Sequence, residues 1–170
     1  HPHYYRNSNF IPMKKIFIAI ALVALICACT KKQEQKDTKV IGKPNVEVKD
    51  GRFTPEVMWS LGKMGEKTVS PDGKQIAYTV TYYDMAENKG NAEIYLLPTD
   101  EGEAVQLTTT AQSEFNLVWQ DDHTLLFCRD NEIRSMDVKT KVEKTIGTFE
   151  NGLEGFKLAP DGKSIVFIST

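Results

Sequence analysis

Ser70-Pro71-Asp72-Gly73-Lys74 and Ala159-Pro160-Asp161-Gly162-Lys163 are two copies of one turn, and Trp119-Gln120-Asp121-Asp122-His123 is a degenerate copy between them. Each is followed by a short apolar run: Ile76-Ala77-Tyr78, Leu125-Leu126-Phe127 and Ile165-Val166-Phe167. The copies are spaced by 49 and then 40 residues. A turn-plus-strand unit recurring at roughly 40 residues is the signature of β-propeller blades. The sequence stops at Thr170, inside the third copy, and rings hold typically four to eight blades. The expectation is therefore an all-β chain, an incomplete propeller of about two and a half blades at the front of a larger protein.

The turn chemistry explains why this stretch recurs. Proline at the second position presets φ, aspartate before glycine favours a type I turn, and glycine takes the left-handed conformation that lets the strands re-pair. An apolar residue precedes the turn segment each time (Val69, Val118, Leu158). The next strand recurs too, with Ile94 in register with Ile133 and Leu107 with Ile146, both 39 residues apart. The difference between 49 and 39 places an insertion of about ten residues between the second and third strands of the first blade, in the stretch Tyr82–Asn91. It reads as a solvated loop; the functional alternative is an edge loop touching a neighbouring domain or a substrate.

Ahead of the repeats the chain changes character. Residues 1–12 carry no pattern and precede Met13, so they read as an upstream translation artefact, and His1 and His3 with them are poor metal ligands. Residues 13–28 read as a lipoprotein signal peptide: Lys14 and Lys15, an apolar core from Ile16 to Ile26, then small residues at the cleavage site. That core is too short for a bilayer span, which needs about 20 residues. The leader resembles those of bacterial lipoproteins, and the resemblance makes Cys29, with Ala28 before it, the lipidated residue. Residues 29–52 open with Thr30–Lys43, a run of Lys, Gln, Glu and Asp almost without apolar content, and read as a flexible tether holding a folded domain off a membrane.

At Thr54-Pro55-Glu56 a short helix begins: threonine caps, proline suits the first turn and glutamate complements the dipole. Val57, Met58 and Leu61 give it an apolar face, and Gly62 is placed to end it. From Lys67 onward short strands and turns dominate. Residues 53–170 are thus read as the truncated N-terminal blades. Net charge −2 gives no basic footprint, so nucleic acid is not indicated. Three cysteines make no disulfide framework, and Cys128, ending an apolar strand, reads as a small buried hydrophobe.

The sequence Phe53-Thr54-Pro55-Glu56-Val57-Met58-Trp59-Ser60-Leu61, a spacer, and then Val69-Ser70-Pro71-Asp72-Gly73-Lys74-Gln75-Ile76-Ala77-Tyr78 resembles the N-terminal part of the prolyl oligopeptidase family of serine peptidases, in its dipeptidyl and acylaminoacyl peptidase forms. The resemblance implies a propeller that filters oligopeptide substrates by size over a C-terminal α/β-hydrolase domain holding a Ser-Asp-His triad, with no cofactor. The nucleophile of such a domain sits on a Gly-x-Ser-x-Gly elbow, which this sequence does not contain. His123 holds the exposed turn place of Lys74 and Lys163 and reads as a solvated residue, so no catalytic residue is assigned. In some members propeller glutamates bind the substrate amine; Glu87, Glu93, Glu114 and Glu154 are available, no motif separates them, and none is nominated. The competing reading is a non-catalytic TolB-like binding propeller of the cell envelope. Only 40 residues separate Cys29 from Ser70, too few for the α/β domain such proteins carry ahead of their blades.

Overall fold

The Ser-Pro-Asp-Gly turn closes on itself through five hydrogen bonds, one of them from Gln75 N–H to Ser70 Oγ at 3.0 Å, and they set the strands on either side. Ser70 N–H donates to the Gln75 carbonyl at 2.8 Å and Gly73 N–H to the Ser70 carbonyl at 2.9 Å. Asp72 Oδ1 accepts from Ser70 Oγ at 2.7 Å and from Lys74 N–H at 3.1 Å. Gly73 has φ +74° and Gly162 φ +69°, the left-handed region that only glycine enters without cost. The second copy, Ala159 to Ser164, repeats the two backbone bonds at 2.8 and 2.9 Å.

The computed structural model describes residues 39–169, so the signal peptide and Cys29 lie outside the described residues. One helix, α1 (Pro55–Ser60), precedes ten strands: β1 (Lys63–Val69), β2 (Gln75–Asp84), β3 (Lys89–Pro98), β4 (Val105–Gln106), β5 (Glu114–Trp119), β6 (Thr124–Arg129), β7 (Glu132–Asp137), β8 (Glu143–Thr148), β9 (Gly155–Leu158) and β10 (Ile165–Ile168). They form three antiparallel sheets in the orders β1-β2-β3-β4, β5-β6-β7-β8 and β10-β9. Among the described residues the architecture is all-β apart from that helix, as expected, and each copy of the turn opens the second strand of its own sheet.

The sheets lie face to face. Ala77, Ile94 and Leu107 of the first pack against Leu117, Trp119, Leu125, Phe127 and Met136 of the second. Leu126, Cys128 and Ile133, on the other face of the second sheet, pack against Leu153 and Phe156 of the third. Strand β6 is therefore buried on both sides, which is why Leu125-Leu126-Phe127-Cys128 is an unbroken apolar run rather than an alternating one. Each such side chain contributes about 1.5–3 kcal/mol by leaving water. Cys128 is buried as a free thiol, and burial, with Glu66 nearby, pushes its pKa up to about 12.

The register makes the repeat explicit. Thr79 faces Ile94 across β2–β3, and Cys128 faces Ile133 across β6–β7, so the Ile94–Ile133 correspondence holds. The Leu107–Ile146 correspondence does not. Leu107 is buried, whereas Ile146 is skipped where the β7–β8 pairing shifts register, so that Gly147 faces Ile133 and Ile146 turns out half exposed. The degenerate turn also differs from expectation. Trp119 pairs with Leu125 at the end of β5, as Val69 pairs with Ile76, so Trp119 is a buried strand residue and the turn, closed by Gln120 N–H to the Thr124 carbonyl at 2.9 Å, is one residue shorter. Asp121 takes over the role of Asp72, accepting from His123 and Thr124 N–H at 2.8 Å.

The insertion falls where the spacing puts it, but it is strand rather than loop. Pairing continues from Gln75↔Pro98 to Asp84↔Lys89, against Thr124↔Asp137 to Arg129↔Glu132 in the second sheet. Thr79-Val80-Thr81-Tyr82-Tyr83 is β-branched and aromatic, which suits extended pairing, and the tip is closed by Asp84 Oδ1 accepting from Ala86 and Glu87 N–H. The helix keeps its cap, with Thr54 Oγ1 accepting from Val57 N–H at 3.4 Å, but only Val57 is buried; Met58 and Leu61 are about half exposed. Gly62 is not a left-handed stop, since Leu61 leaves the helix in an extended conformation. Its missing side chain instead makes room: a Cβ there would sit 2.5 Å from Val80 Cγ1 and 2.9 Å from the Tyr82 ring.

A clasp recurs between first strands. Glu66 lies where β1 shifts register, and its Oε2 accepts from Leu117 N–H of β5 at 3.1 Å. Asn116 lies at the matching shift in β5; its Oδ1 accepts from Phe156 N–H of β9 at 2.9 Å and its Nδ2 donates to the Phe156 carbonyl at 3.1 Å. Gly155 is glycine because a Cβ would collide with Asn116 Oδ1. Asn116 itself sits at φ +56°, where asparagine is tolerated. Replacing it with alanine is expected to cost about 2–3 kcal/mol, from two lost hydrogen bonds and backbone strain. Glycine should recover about 1 kcal/mol of that by relieving the strain alone; denaturant titration of the three proteins measures both.

Candidate functional site

The segment between β4 and β5 carries the chain from the first sheet to the second, and its hydroxyls replace the backbone pairing that β4 abandons after two residues. Leu107 N–H still bonds the Ile94 carbonyl at 2.8 Å. Beyond it, Thr108 Oγ1 accepts from Ile94 N–H at 2.8 Å and Ser113 Oγ from Ala92 N–H at 3.0 Å. This crossing sets Thr108 and Thr110 against two buried carboxylates, Glu93 of β3 and Glu114 of β5, each 1% exposed.

Glu114 accepts from Thr108 Oγ1 at 2.9 Å, Thr110 Oγ1 at 3.0 Å and Arg129 Nε at 2.6 Å. Arg129 turns its other two nitrogens on Glu143 as a bidentate pair at 2.8 and 2.9 Å. Arg134 then bridges Glu143 at 2.8 Å and Glu132 at 2.6 Å. Glu93 Oε1 accepts from Asn91 Nδ2 at 2.8 Å and Thr110 N–H at 2.7 Å, while Glu93 Oε2 and Asn91 Oδ1 are buried without a partner. Three carboxylates share two guanidinium groups, and Glu93 reaches neither. Burial, then the charge of Glu93, push the Glu114 carboxyl up to about 7 despite Arg129. Glu143 goes the other way: burial would raise it, but Arg129 and Arg134 hold it below its ordinary value.

A raised carboxyl pKa fixes the sign of a pH effect. The folded chain binds the Glu114 proton more tightly than the unfolded one, so its contribution to stability is present below pH 4.5 and is lost as pH rises through about 7. Unfolding midpoints measured against pH should fall over that interval, and Glu114→Gln should flatten the fall. The depressed Glu143 acts in the opposite sense, contributing above 4.5 and losing its contribution as the solution becomes more acid.

A concavity of about 450 Å³ lies between residues 39–46, α1 and the β2–β3 hairpin tip, lined by Val40, Ile41, Pro44, Trp59, Tyr83 and Met85 among others. Lys39 pairs with Asp84 at 2.5 Å and Glu87 at 2.6 Å, which raises the lysine and lowers the aspartate pKa. Trp59 meets Tyr83 edge-on at 5.8 Å, and Lys63 Nζ lies 4.6 and 4.7 Å from their ring centres. Residues 39–46 fall within the span read as tether, yet Ile41 is buried.

Of the glutamates left undistinguished by the sequence, Glu93 and Glu114 are buried in the acidic network, whereas Glu87 and Glu154 are exposed. The signals were the threonine run Thr108-Thr109-Thr110 ahead of Glu114 and Arg129 closing an apolar strand, but neither names its partner. His123, the one histidine among the described residues, is exposed in the shortened turn, as expected. Glu114 holds the Thr108 and Thr110 hydroxyls and the Arg129 guanidinium together at the crossing between the sheets.

No family model matches the chain. Over 120 residues, 68% of its length, the chain is 29% identical to dipeptidyl-peptidase 5 of Porphyromonas gingivalis and spans 18% of that protein. It is 22% identical over 120 residues to dipeptidyl-peptidase 5 of Porphyromonas endodontalis, spanning 17% of it. Its fold matches acylaminoacyl peptidase of Pyrococcus horikoshii with a TM-score of 0.53 at 16% identity, covering 66% of this chain and 18% of that one. The chain thus spans less than a fifth of the relatives it matches. They bear out the resemblance carried by the capped helix and the first turn.

Proposed function

We propose that this polypeptide of the prolyl oligopeptidase family forms the opening blades of a β-propeller in a cell-envelope serine exopeptidase that hydrolyses oligopeptides. The observation that carries the reading is the 120-residue sequence match to dipeptidyl-peptidase 5. The face-to-face sheets, the recurring turn and the recurring clasp support the propeller part of it, since blades need repeated inter-sheet contacts of this kind. The propeller acts as the size filter: an extended peptide passes, a folded protein does not. Bond cleavage belongs to a C-terminal α/β-hydrolase domain with a Ser-Asp-His triad. Lipid on Cys29 holds the protein to the envelope membrane, in the periplasm or at the outer membrane.

Two arms test this on the protein as the cell makes it. It should release dipeptides or acylated residues from short peptides, leave folded proteins intact, and lose that activity to a serine-directed fluorophosphonate. Cys29→Ser should abolish lipid labelling and release the protein from membranes. A purified protein inert to both substrate and probe overturns the enzymatic part; unchanged membrane association of Cys29→Ser overturns the anchor.

A further inference from the structure

We infer that the concavity between residues 39–46, α1 and the β2–β3 tip binds a compact apolar cation, an aryl or alkyl ammonium whose hydrocarbon body lies against Val40, Trp59 and Tyr83 and whose charge meets Glu56. The propeller reading gives this surface no role, and the inference stands whether or not the whole protein is a peptidase.

Three separately fixed walls make the site. Helix α1, capped by Thr54, puts Trp59 and Ser60 on one side. The β2–β3 hairpin, paired as far as Asp84↔Lys89, outruns its counterpart in the second sheet and carries Tyr83 and Met85 to the next. Its tip is tied by Asp84 to Ala86 and Glu87 N–H. Residues 39–46 close the third side, fastened by buried Ile41 and by Lys39 on Asp84 and Glu87. The volume of about 450 Å³ suits a small molecule, since such sites run from about 300 to 1,000 Å³. The insertion in the first repeat thus supplies a wall that the second repeat lacks.

The lining dictates the ligand's body and its charge. Val40, Val46 and Met85 are 43, 37 and 56% exposed, apolar surface that a hydrocarbon body takes out of water. Trp59 and Tyr83 already accept a cation, because Lys63 Nζ lies 4.6 and 4.7 Å from their ring centres. Of the charged groups on the lining, Lys39 and Asp84 are engaged with each other. Glu56 has no ion pair among the described residues, and hydrogen bonds from its own N–H and from Thr54 hold its carboxyl below the ordinary value, so it stays ionised. Ser60 spends its proton on the Val57 carbonyl at 2.7 Å, which leaves its oxygen to accept only. Glu56, Asp84 and Glu87 stand against Lys39 and Lys63, an excess of one negative charge that disfavours anions.

Calorimetric titration of the intact cellular protein with phenethylammonium and with hydrocinnamate, which share a hydrocarbon body and differ in charge, tests the inference. Saturable one-to-one binding of the ammonium, about fivefold or more tighter than the carboxylate, is expected. Equal affinities, or no saturable binding of the ammonium, overturn it. Glu56→Gln should weaken the ammonium about fivefold and tighten hydrocinnamate, a crossed response that loss of the site's shape would not give. Unchanged affinities in that variant overturn the site, since the ammonium would then be held elsewhere. N-acetyl-lysine amide, whose one ammonium is on the side chain, separates the sources. Binding that matches phenethylammonium and falls with Glu56→Gln makes the natural ligand a lysine side chain; weaker binding makes it a free amine, and either result keeps the site.

Discussion

Replacing Arg129 with methionine is expected to destabilise the fold by about 3–5 kcal/mol, because it strips the cation from a carboxylate that is already out of water. Glu114 would keep only Thr108 and Thr110, and Glu143 would lose a bidentate partner while retaining Arg134. Methionine fills much of the same space, so a large loss would report charge rather than volume. The double substitution Arg129→Met with Glu114→Gln should recover a substantial part, since the remaining amide does not need a counter-ion. Denaturant titration followed by the fluorescence of buried Trp119 measures both. A loss under about 1 kcal/mol for the single substitution would mean that the network is solvated and behaves as an exposed ion pair.

Phe127→Ala carries the other large expected loss, about 3–5 kcal/mol, from removing a fully buried ring and leaving a cavity in β6. Phe127 is 0% exposed and lies in the core between the first and second sheets. Arg129 lies over its ring with the guanidinium carbon 5.4 Å from the centroid, so the substitution also loosens the ion network. The expected signature is a lower denaturation midpoint with an unchanged denaturant slope. A slope that falls as well would mean that the two sheets come apart separately.

Much of this fold is legible in the sequence because its punctuation is local. The Pro-Asp-Gly turns, the threonine cap and the apolar run of β6 each depend on residues within a few positions, and each behaves as those residues dictate. The spacing of Ile94 and Ile133 located the insertion, since cross-strand pairing converts directly into residue numbers. The sequence alone sets Trp119 in the turn because deleting one turn residue leaves no mark there; only its partner Leu125 reveals the shift. Tyr82-Tyr83 reads as loop because it runs into the polar stretch from Asp84, but β2 and β3 stay paired as far as Asp84↔Lys89. Glu93 and Glu114 were indistinguishable from surface glutamates for a different reason. Their burial depends on Thr110, from the segment that crosses between the sheets, and on Arg129, the cross-strand partner of Glu114 on β6, and no residue beside Glu93 records that coverage.

The reading frame that follows codon 170 in the source gene tests the central claim most directly. The account predicts several hundred further codons in frame, with blades first and then a Gly-x-Ser-x-Gly elbow, an aspartate and a histidine in that order. A frame that carries further blades and no elbow would contradict the peptidase assignment and leave a binding propeller in its place.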